Sequence, residues 1–252
     1  MNFQEGEVIY INKPYGMSSF GALAYVRTRL SKRLHVKRLK TGHAGTLDPL
    51  ATGVLILCTG KATKRIEELQ LQSKEYTATL QLGATTASFD REHTVDMTYP
   101  TRHITRELIE QTLRRFEGEQ MQVPPLYSAV MVDGDRAYKL ARRGDEVELK
   151  AKPIRIDYIE LTHFDPDAMQ MSIRVGCGKG TYIRSLARDI GRALGSGAFL
   201  TALCRTRLGD ITLDQCITLD ELPAWLDDHV GSAPAATPSH TITKSFEINH
   251  LK

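Results

Sequence analysis

The sequence predicts an α+β fold, because two segments have the pattern of strands and a third has the pattern of a helix. From Tyr76 to Leu82 every second residue is apolar, which is the period of a strand with one buried face. Residues 54–58, VLILC, form an unbroken apolar run of the length of a buried strand. Residues 104–118 instead place apolar side chains three and four positions apart, as an amphipathic helix does. At 252 residues the chain has room for one large domain or two modest ones.

The first two elements are a strand and a helix. Val8–Ile11 is apolar and precedes a turn that contains proline and glycine. Ser18 or Ser19 can cap the helix, whose last turn is basic and so suits the helix dipole. The apolar face of this helix is predicted to consist of Phe20, Leu23, Val26 and Leu30.

The middle of the chain has one regular helix between two irregular segments. Residues 84–103 have no periodicity and predict an irregular connection to the helix at 104–118, which Gly118 closes. Residues 122–152 begin near two prolines, are poor in apolar residues and contain a short helix around Leu140. We therefore expect these residues to form an appendage that is mobile until a partner orders it.

Two further strands, at 154–164 and 171–177, lead through a glycine turn into a second amphipathic helix. Arg184, Arg188 and Arg192 are predicted to lie on the side of this helix opposite its apolar face. Arg184 falls in the first turn, where the helix dipole disfavours a cation. We therefore expect a carboxylate or a phosphate beside it.

The last part of the chain predicts little regular structure. Residues 200–222 predict one or two strands, and a short helix is expected to end near Leu226. Residues 231–252 are small, polar and proline-containing, which predicts a disordered tail.

Composition favours a soluble cytoplasmic protein without a metal centre. The N-terminus carries acids and lacks the basic and apolar regions of a signal peptide, and no apolar run approaches membrane-spanning length. The four cysteines have neither the spacing of a zinc site nor that of a disulfide framework, so we expect reduced, mostly buried thiols.

Basic charge is concentrated in one part of the sequence. Residues 27–65 contain ten lysines and arginines and a single acid, Asp48. Exposed helices usually alternate charge signs, so this excess favours a polyanionic partner over an ordinary solvated surface. Asp48 lies in a loop shaped by Gly42, Gly45, Pro49 and Gly53, a density of turn residues that holds backbone close to another group.

This loop, GHAGTLDPLATGVLILCTGKATK, resembles the catalytic motif of the TruB-type tRNA pseudouridine synthases, bacterial enzymes that isomerise a uridine in the TΨC arm. Five more motifs of that family occur in the family's order and extend the resemblance over residues 8 to about 220. They are Asn12-Lys13-Pro14 with Gly16, Lys74-Glu75-Tyr76, residues 124–129 (PPLYSA), residues 180–186 (GTYIRSL) and residues 203–207 (LCRTR).

The resemblance implies a mixed, largely antiparallel sheet flanked by helices, and cofactor-free isomerisation of uridine 55 in tRNA to pseudouridine. Asp48 would act on the ribose as nucleophile or base, and Arg184 would keep this carboxylate charged. Tyr76 would stack on the flipped uracil and relay the C5 proton, in a pocket that Leu203 also lines. His43 would fill the space that the nucleotide leaves, unless it is an ordinary loop histidine.

The same resemblance implies RNA contacts outside the reacting nucleotide. The motif that contains Arg184 also places Tyr182 against the RNA. The basic excess would form a phosphate track that positions RNA without reading its sequence. Candidate residues of this track are Lys13, Lys61, Lys64 and Arg65.

Departures from the family limit what can be transferred. Asn12 and Met131 stand where the family commonly has aspartate and lysine, so we assign no RNA contact to either. About thirty residues follow Leu222, too few for the PUA-type RNA-binding module of longer bacterial relatives. We expect one catalytic domain over residues 1–230, with an RNA-gripping insert at about 122–152 and a short C-terminal element at about 208–230.

Two alternatives differ in mechanism or in class. A guide-dependent relative acting on ribosomal RNA shares the Gly-Thr-Leu-Asp-Pro core, although the continuation through residues 50–53, LATG, resembles the stand-alone enzymes. A tRNA-folding chaperone that binds the tRNA elbow would need the basic track but not Asp48. We expect a monomer whose partner is the TΨC arm of tRNA, without an obligate protein partner and without a membrane.

Overall fold

The structure, a computed structural model, describes residues 1–132, 134–145 and 147–230; the tail predicted for residues 231–252 lies outside the described residues. The helices of this part of the chain are α1 (Ser19–Arg33), α2 (Ile66–Leu71), α3 (Arg106–Arg114), α4 (Ala137–Arg143), α5 (Ile183–Ala193) and α6 (Leu222–His229). The strands are β1 (Val8–Lys13), β2 (Thr41–Ala44), β3 (Thr52–Thr59), β4 (Lys74–Leu82), β5 (Ala84–Thr86), β6 (Val95–Thr98), β7 (Gly118–Gln122), β8 (Met131–Val132), β9 (Asp135–Arg136), β10 (Lys152–Asp165), β11 (Gln170–Cys177), β12 (Ala198–Leu208) and β13 (Ile211–Thr212).

One large sheet organises these elements, in the order β1-β3-β12-β4-β11-β10-β7. Its pairs are antiparallel except for β3 and β12, which run parallel. β12 pairs with β3 only at Thr52 and Gly53, and β2 pairs with the remainder of that edge. The predicted mixed, largely antiparallel sheet is therefore confirmed, and the loop between β2 and β3 starts and ends beside β12.

Apolar side chains pack on both faces of the sheet. α3 and α5 cover one face of the strands around β4 and β11, where Leu80 and Ile173 belong to the core. α1 and α6 cover β1 and β3 with a second core. The run at 54–58 is continuous because its residues alternate between this second core and a third one, formed with α2 and the 3-10 turn at 60–65.

Several sequence predictions of local structure hold. Ser18 caps α1 by accepting a hydrogen bond from the Gly21 amide. β4 alternates as predicted, with Tyr76 on its buried face. α4 is the short helix predicted within residues 122–152.

Other predictions are wrong. Phe20 was expected on the apolar face of α1 but is 63% exposed, and the smaller Ser19 and Ala22 are buried in its place. The helix predicted at 104–118 is α3, which is shorter than predicted. Thr105 caps its start, and Gly118 begins β7 with φ of 89°. Residues 84–103 are not wholly irregular, since β5 and β6 form a small hairpin there.

The prediction that α5 exposes its three arginines is also wrong for two of them. Arg184 and Arg188 are buried, and Arg192 is exposed. Arg188 is held by Asp189 and by the Val123 carbonyl, so its burial is satisfied within the fold. In the part of the chain that the structure describes, no helix has the length and apolar composition needed to cross a bilayer.

Candidate active site

The loop at residues 45–51, between β2 and β3, is fixed from the side of α1 and β1. The Ser19 hydroxyl accepts a hydrogen bond from the Leu47 amide at 2.8 Å and donates one to the Leu47 carbonyl at 2.9 Å. The Pro49 carbonyl accepts a hydrogen bond from the Gly16 amide at 2.9 Å. Leu47 is buried in the core below, so Asp48 is presented from a loop whose backbone is tied down on both sides.

Asp48 forms a two-pronged ion pair with Arg184. Nε of Arg184 lies 2.8 Å from Oδ2 of Asp48, and Nη2 lies 3.2 Å from Oδ1. The Arg184 side chain is 4% exposed, whereas that of Asp48 is 38% exposed. The guanidinium is thus a buried, preorganised partner, and the carboxylate remains open to a substrate. The expectation of a carboxylate beside Arg184 is met by this contact.

Two of the three remaining N–H donors of Arg184 are also occupied. Nη2 donates to the Tyr127 carbonyl at 2.9 Å, and Nη1 donates to the Ser88 carbonyl at 3.3 Å. A second carboxylate, that of Asp90, lies 3.7 Å from Nε and is itself held by Ser88. These contacts fix the guanidinium plane, and with it the orientation of Asp48.

A cleft of about 340 Å³ opens beside this ion pair. It brings together five of the predicted site residues, contributed by the 45–51 loop, β4, α5 with the residue before it, and β12. They are Asp48, Tyr76, Tyr182, Arg184 and Leu203. Their meeting depends on the sheet, because β12 lies between β3 and β4.

The two tyrosines of the cleft are held differently. Tyr76 is buried on β4, and this burial raises the pKa of its hydroxyl. Tyr182 precedes α5 and is positioned through its backbone, because the Gln122 side chain accepts from its amide and donates to its carbonyl. Burial raises the pKa of the Tyr182 hydroxyl as well. Both phenols therefore stay protonated near neutral pH and can act as hydrogen-bond donors or stacking surfaces.

Lys13 does not suit the phosphate track predicted for it. Its side chain is fully buried, and its ammonium donates to the carbonyls of Pro14, Met17 and Pro49. Desolvation lowers the pKa of Lys13 to about 8, against the opposing effect of Asp48. A buried ammonium with three carbonyl partners supports the Asp48 loop rather than meeting a phosphate, so this prediction is corrected.

The other predicted RNA contacts lie outside the cleft. Lys61 and Lys64 are exposed after β3, and Lys61 pairs with Glu5 at 2.5 Å. His43 is half-buried on β2 and is not among the residues that line the cleft. Its Nδ1 is buried without a hydrogen-bond partner among the described residues, and burial lowers the pKa of its imidazole. Because this nitrogen is buried and His43 lies outside the cleft, the predicted contact of His43 with RNA stays a prediction.

Two buried cations of the cleft were not predicted as site residues, and neither was the exposed Lys179. Arg205, on β12, is 1% exposed and donates from Nε to the Val54 carbonyl at 2.8 Å and from Nη2 to the Gly45 carbonyl at 3.1 Å. Lys74, at the start of β4, donates to the carbonyls of Gln70 and Gln72. Both residues stood inside recognised motifs, but nothing in the sequence signals that a strand buries their charges. Asp90 lay in a segment without periodicity and carried no signal either.

Comparison with known proteins places this chain in a family. A family model described as TruB family pseudouridylate synthase (N terminal domain) matches residues 32–183, and one described as tRNA pseudouridylate synthase B C-terminal domain matches residues 184–234. A Bacteroides fragilis protein named tRNA pseudouridine synthase B is 61% identical over 227 residues, which are 90% of this chain and 97% of that protein. A Flavobacterium johnsoniae protein of the same name is 47% identical over 218 residues, which are 86% and 94% of the two chains.

Solved structures give the same architecture. A chain in the crystal structure of a Cbf5-Nop10-Gar1 complex superposes with a TM-score of 0.64 at 31% identity, covering 91% of this chain and 58% of that one. A chain of the archaeal box H/ACA sRNP Nop10-Cbf5 complex gives 0.63 at 29% identity, covering 90% and 57%. This chain therefore spans somewhat over half the length of those solved chains.

Proposed function

Because the chain belongs to the TruB family of pseudouridylate synthases, and is therefore an RNA-modifying isomerase, we propose that it converts uridine 55 of the tRNA TΨC loop to pseudouridine. The observation that carries the proposal is the Asp48 carboxylate, oriented by a buried arginine at the wall of a cleft. Relatives that this chain matches over almost their whole length are named for activity on tRNA. The guide-dependent alternative has no comparable support, because its solved chains are matched over little more than half their length.

Asp48 is the group that acts on the ribose. The reaction breaks the bond between C1′ and N1 of uridine and forms one between C1′ and C5 of the same base. An ionised carboxylate can attack C1′ as a nucleophile or remove the C2′ proton as a base. The paired guanidinium orients the carboxylate in either case, and the exposed side of the carboxylate faces the cleft.

The base of the flipped nucleotide would lie between Tyr76 and Leu203. An enzyme that acts on a base in a folded RNA has to take it out of the stack and hold it. Stacking on an aromatic ring contributes roughly 1–3 kcal/mol per base. Tyr182 lies at the start of α5 on the same cleft and is placed to contact the nucleotide from another side.

The insert at about 122–152 would close over the RNA. The Tyr127 carbonyl already contacts Arg184, and Ser128 lines the cleft with its hydroxyl buried and without a partner among the described residues. A segment that touches both the catalytic pair and the cleft can connect RNA binding to the position of Asp48. We further propose a cytoplasmic monomer, which size-exclusion chromatography with light scattering would test.

The proposal is tested by replacing the carboxylate without changing its size. Asp48→Asn should abolish pseudouridine formation at position 55 of an unmodified tRNA transcript, mapped after incubation with the purified protein. Its tRNA affinity should stay near that of the wild type. Asp157→Asn is the matched control, because Asp157 is 39% exposed and pairs with Arg155 at 2.9 Å on a part of β10 that does not line the cleft.

Conversion that survives Asp48→Asn with binding intact would refute the assignment of Asp48. A wild-type protein that binds tRNA tightly but converts no uridine would instead favour the tRNA-folding chaperone. Conversion at a different uridine would keep the chemistry and correct the substrate position.

A further inference from the structure

We propose that Arg205 and Lys74 form a cationic base to the cleft, which stabilises the negative charge that the uracil carries once its glycosidic bond is broken. This assignment rests on the proposed function and adds two catalytic residues to it. Three observations support it: both charges line the cleft, no acidic side chain pairs with either among the described residues, and the reaction creates an anion.

The two charges are buried without an acidic partner. Arg205 is 1% exposed and Lys74 is 7% exposed. None of the ion pairs formed by the described residues includes either side chain. Backbone carbonyls accept their hydrogen bonds, and Arg205 also lies beside the hydroxyl of Tyr76. Lys13 is buried in the same way and supports the Asp48 loop, but it does not line the cleft. A buried charge without a counter-ion is unfavourable, so one that does line the cleft favours an anion that enters there.

Both side chains line the cleft beside the residues that hold the base. Arg205 and Lys74 border the same 340 Å³ as Tyr76 and Leu203. Arg205 uses Nε for the Val54 carbonyl on β3 and Nη2 for the Gly45 carbonyl at the start of the Asp48 loop, and among the described residues Nη1 donates to no carbonyl. Nη1 lies near Gly45, where a Cβ atom would approach to 3.3 Å, so the loop has no room for a side chain there. The guanidinium is therefore held rigidly, with one nitrogen that no carbonyl occupies.

Neighbouring groups respond to these charges. Burial raises the pKa of Tyr76, and the charge of Arg205 partly offsets this rise. Desolvation, followed by the charge of Arg205, lowers the pKa of Lys74 to about 8. Lys74 thus remains mostly protonated at neutral pH, and an entering anion would favour its charged form further.

The reaction creates an anion at this place. When the bond between C1′ and N1 breaks, its electron pair stays on the uracil and is shared by N1, O2 and O4. Asp48 meanwhile bonds to C1′ or takes the C2′ proton. C5 then bonds to C1′, and the bond to Asp48 breaks or the C2′ proton returns. C5 loses its proton and N1 gains one, so the product is an isomer of the substrate. Fixed cations that face the uracil stabilise the charge developed in the first step.

The test removes one charge at similar side-chain volume. Arg205→Met should lower the single-turnover rate of pseudouridine formation roughly 10²-fold, with little change in the tRNA dissociation constant. Arg205→Lys should restore part of the rate. Arg188→Met is the matched control, because Arg188 is also a buried arginine bonded to a carbonyl but does not line the cleft.

A second substrate separates electrostatic stabilisation from loop positioning. Fluorine at C5 withdraws electrons, so a 5-fluorouracil anion needs less help from the protein. With 5-fluorouridine at the target position, the rate loss caused by Arg205→Met should be roughly tenfold smaller than with uridine. Single-turnover loss of 5-fluorouridine from nuclease digests measures this rate, because the fluorine cannot leave as a proton.

Equal losses for the two substrates would overturn the inference and reduce Arg205 to a support of the Asp48 loop. Should Arg205→Met fail to fold, Lys74→Gln gives the same comparison with the loop contacts intact, and equal losses there would overturn it too. The proposed function is tested separately, since it fails only if the wild type does not convert the unmodified transcript.

Discussion

Arg184 serves Asp48 through shape as well as charge. Its guanidinium presents two nitrogens to the two carboxylate oxygens, while carbonyls and Asp90 occupy its other sides. A lysine ammonium is a point charge and cannot reproduce this fork. The geometry therefore predicts that charge alone will not preserve activity.

We expect both Arg184→Lys and Arg184→Ala to lower turnover far more than tRNA affinity, the former roughly 10²-fold. In Arg184→Ala the carboxylates of Asp48 and Asp90 would also lose the cation that they share. Single-turnover rates and filter-binding constants measured on the same transcript distinguish the two effects. Equal losses in rate and affinity would make Arg184 a phosphate contact.

Glu75 gives the fold a pH dependence that can be tested. Burial alone would raise the pKa of Glu75, but hydrogen bonds from Tyr158, Thr206 and Arg174 outweigh it and lower the pKa to about 2. A carboxyl group with a lowered pKa stabilises the fold above its ordinary value of 4.5, and this contribution is lost as the pH falls from 4.5 towards 2. Glu75 also precedes Tyr76 on β4, so its contacts hold the strand that carries the cleft tyrosine.

Glu75→Gln should lower the free energy of unfolding at pH 7 by on the order of 1–3 kcal/mol. The difference from the wild type should shrink as the pH falls below 4.5, because the carboxyl of the unfolded wild type then takes up a proton that the folded protein binds only near pH 2. Urea denaturation of both proteins, at pH 7 and at a pH below 4, measures the difference in the free energy of unfolding. Glu160→Gln is the control, since Glu160 is 57% exposed at the far side of Arg174 and should change stability little. A pH-independent difference would contradict the assigned contacts.

At the scale of elements, the junction of β3 with β12 has the least tolerance. Gly53 has φ of 103°, and a Cβ atom there would lie 2.2 Å from the Arg205 carbonyl oxygen. Only glycine allows the two strands to approach in this register, next to the loop that carries Asp48. Close packing of the β3 and β12 backbones therefore explains why the motif has a glycine at position 53.

Gly53→Ala should destabilise the protein by more than about 2 kcal/mol, through steric overlap as well as backbone strain. Gly144→Ala is the matched control, because Gly144 has a similar φ of 80° but no atom within 4 Å of the added carbon. That variant should lose only about 1 kcal/mol. Thermal unfolding of both variants gives the comparison, and a tolerated Gly53→Ala would refute the close approach.

Elements with a strong period were predictable, and those shaped by their neighbours were not. The alternation in β4 and the spacing in α5 identified both, because each buries one regular face. The β5–β6 hairpin was missed because β6 is exposed throughout and has no apolar face to reveal it. Family resemblance singled out Asp48, Tyr76 and Arg184, which the structure brings to one cleft. It could not show that Lys13 is buried, because that burial depends on carbonyls supplied by the Asp48 loop and the turn after β1.

At the scale of the whole molecule, the exposed basic residues predict salt-sensitive RNA binding. When a protein displaces counter-ions from phosphates, the logarithm of its binding constant falls linearly with the logarithm of the salt concentration. Lys64→Ala should weaken tRNA binding and reduce the salt slope by about one, as expected for one phosphate contact. Arg155→Gln, which removes an exposed arginine already paired with Asp157, is the control. A flat salt dependence of the wild type would refute the phosphate track.

β12 completes the sheet from a late position in the chain. Asp48 and Tyr76 are translated long before Ala198–Leu208, yet β3 and β4 acquire their shared neighbour only when this strand has been made. On the ribosome, the nascent chain therefore carries the β12-facing edge of β4 unpaired until this strand is made, a state prone to association. The residues of the candidate site come together only once β12 is in place, so a chain that ends before this strand should be unable to act on tRNA.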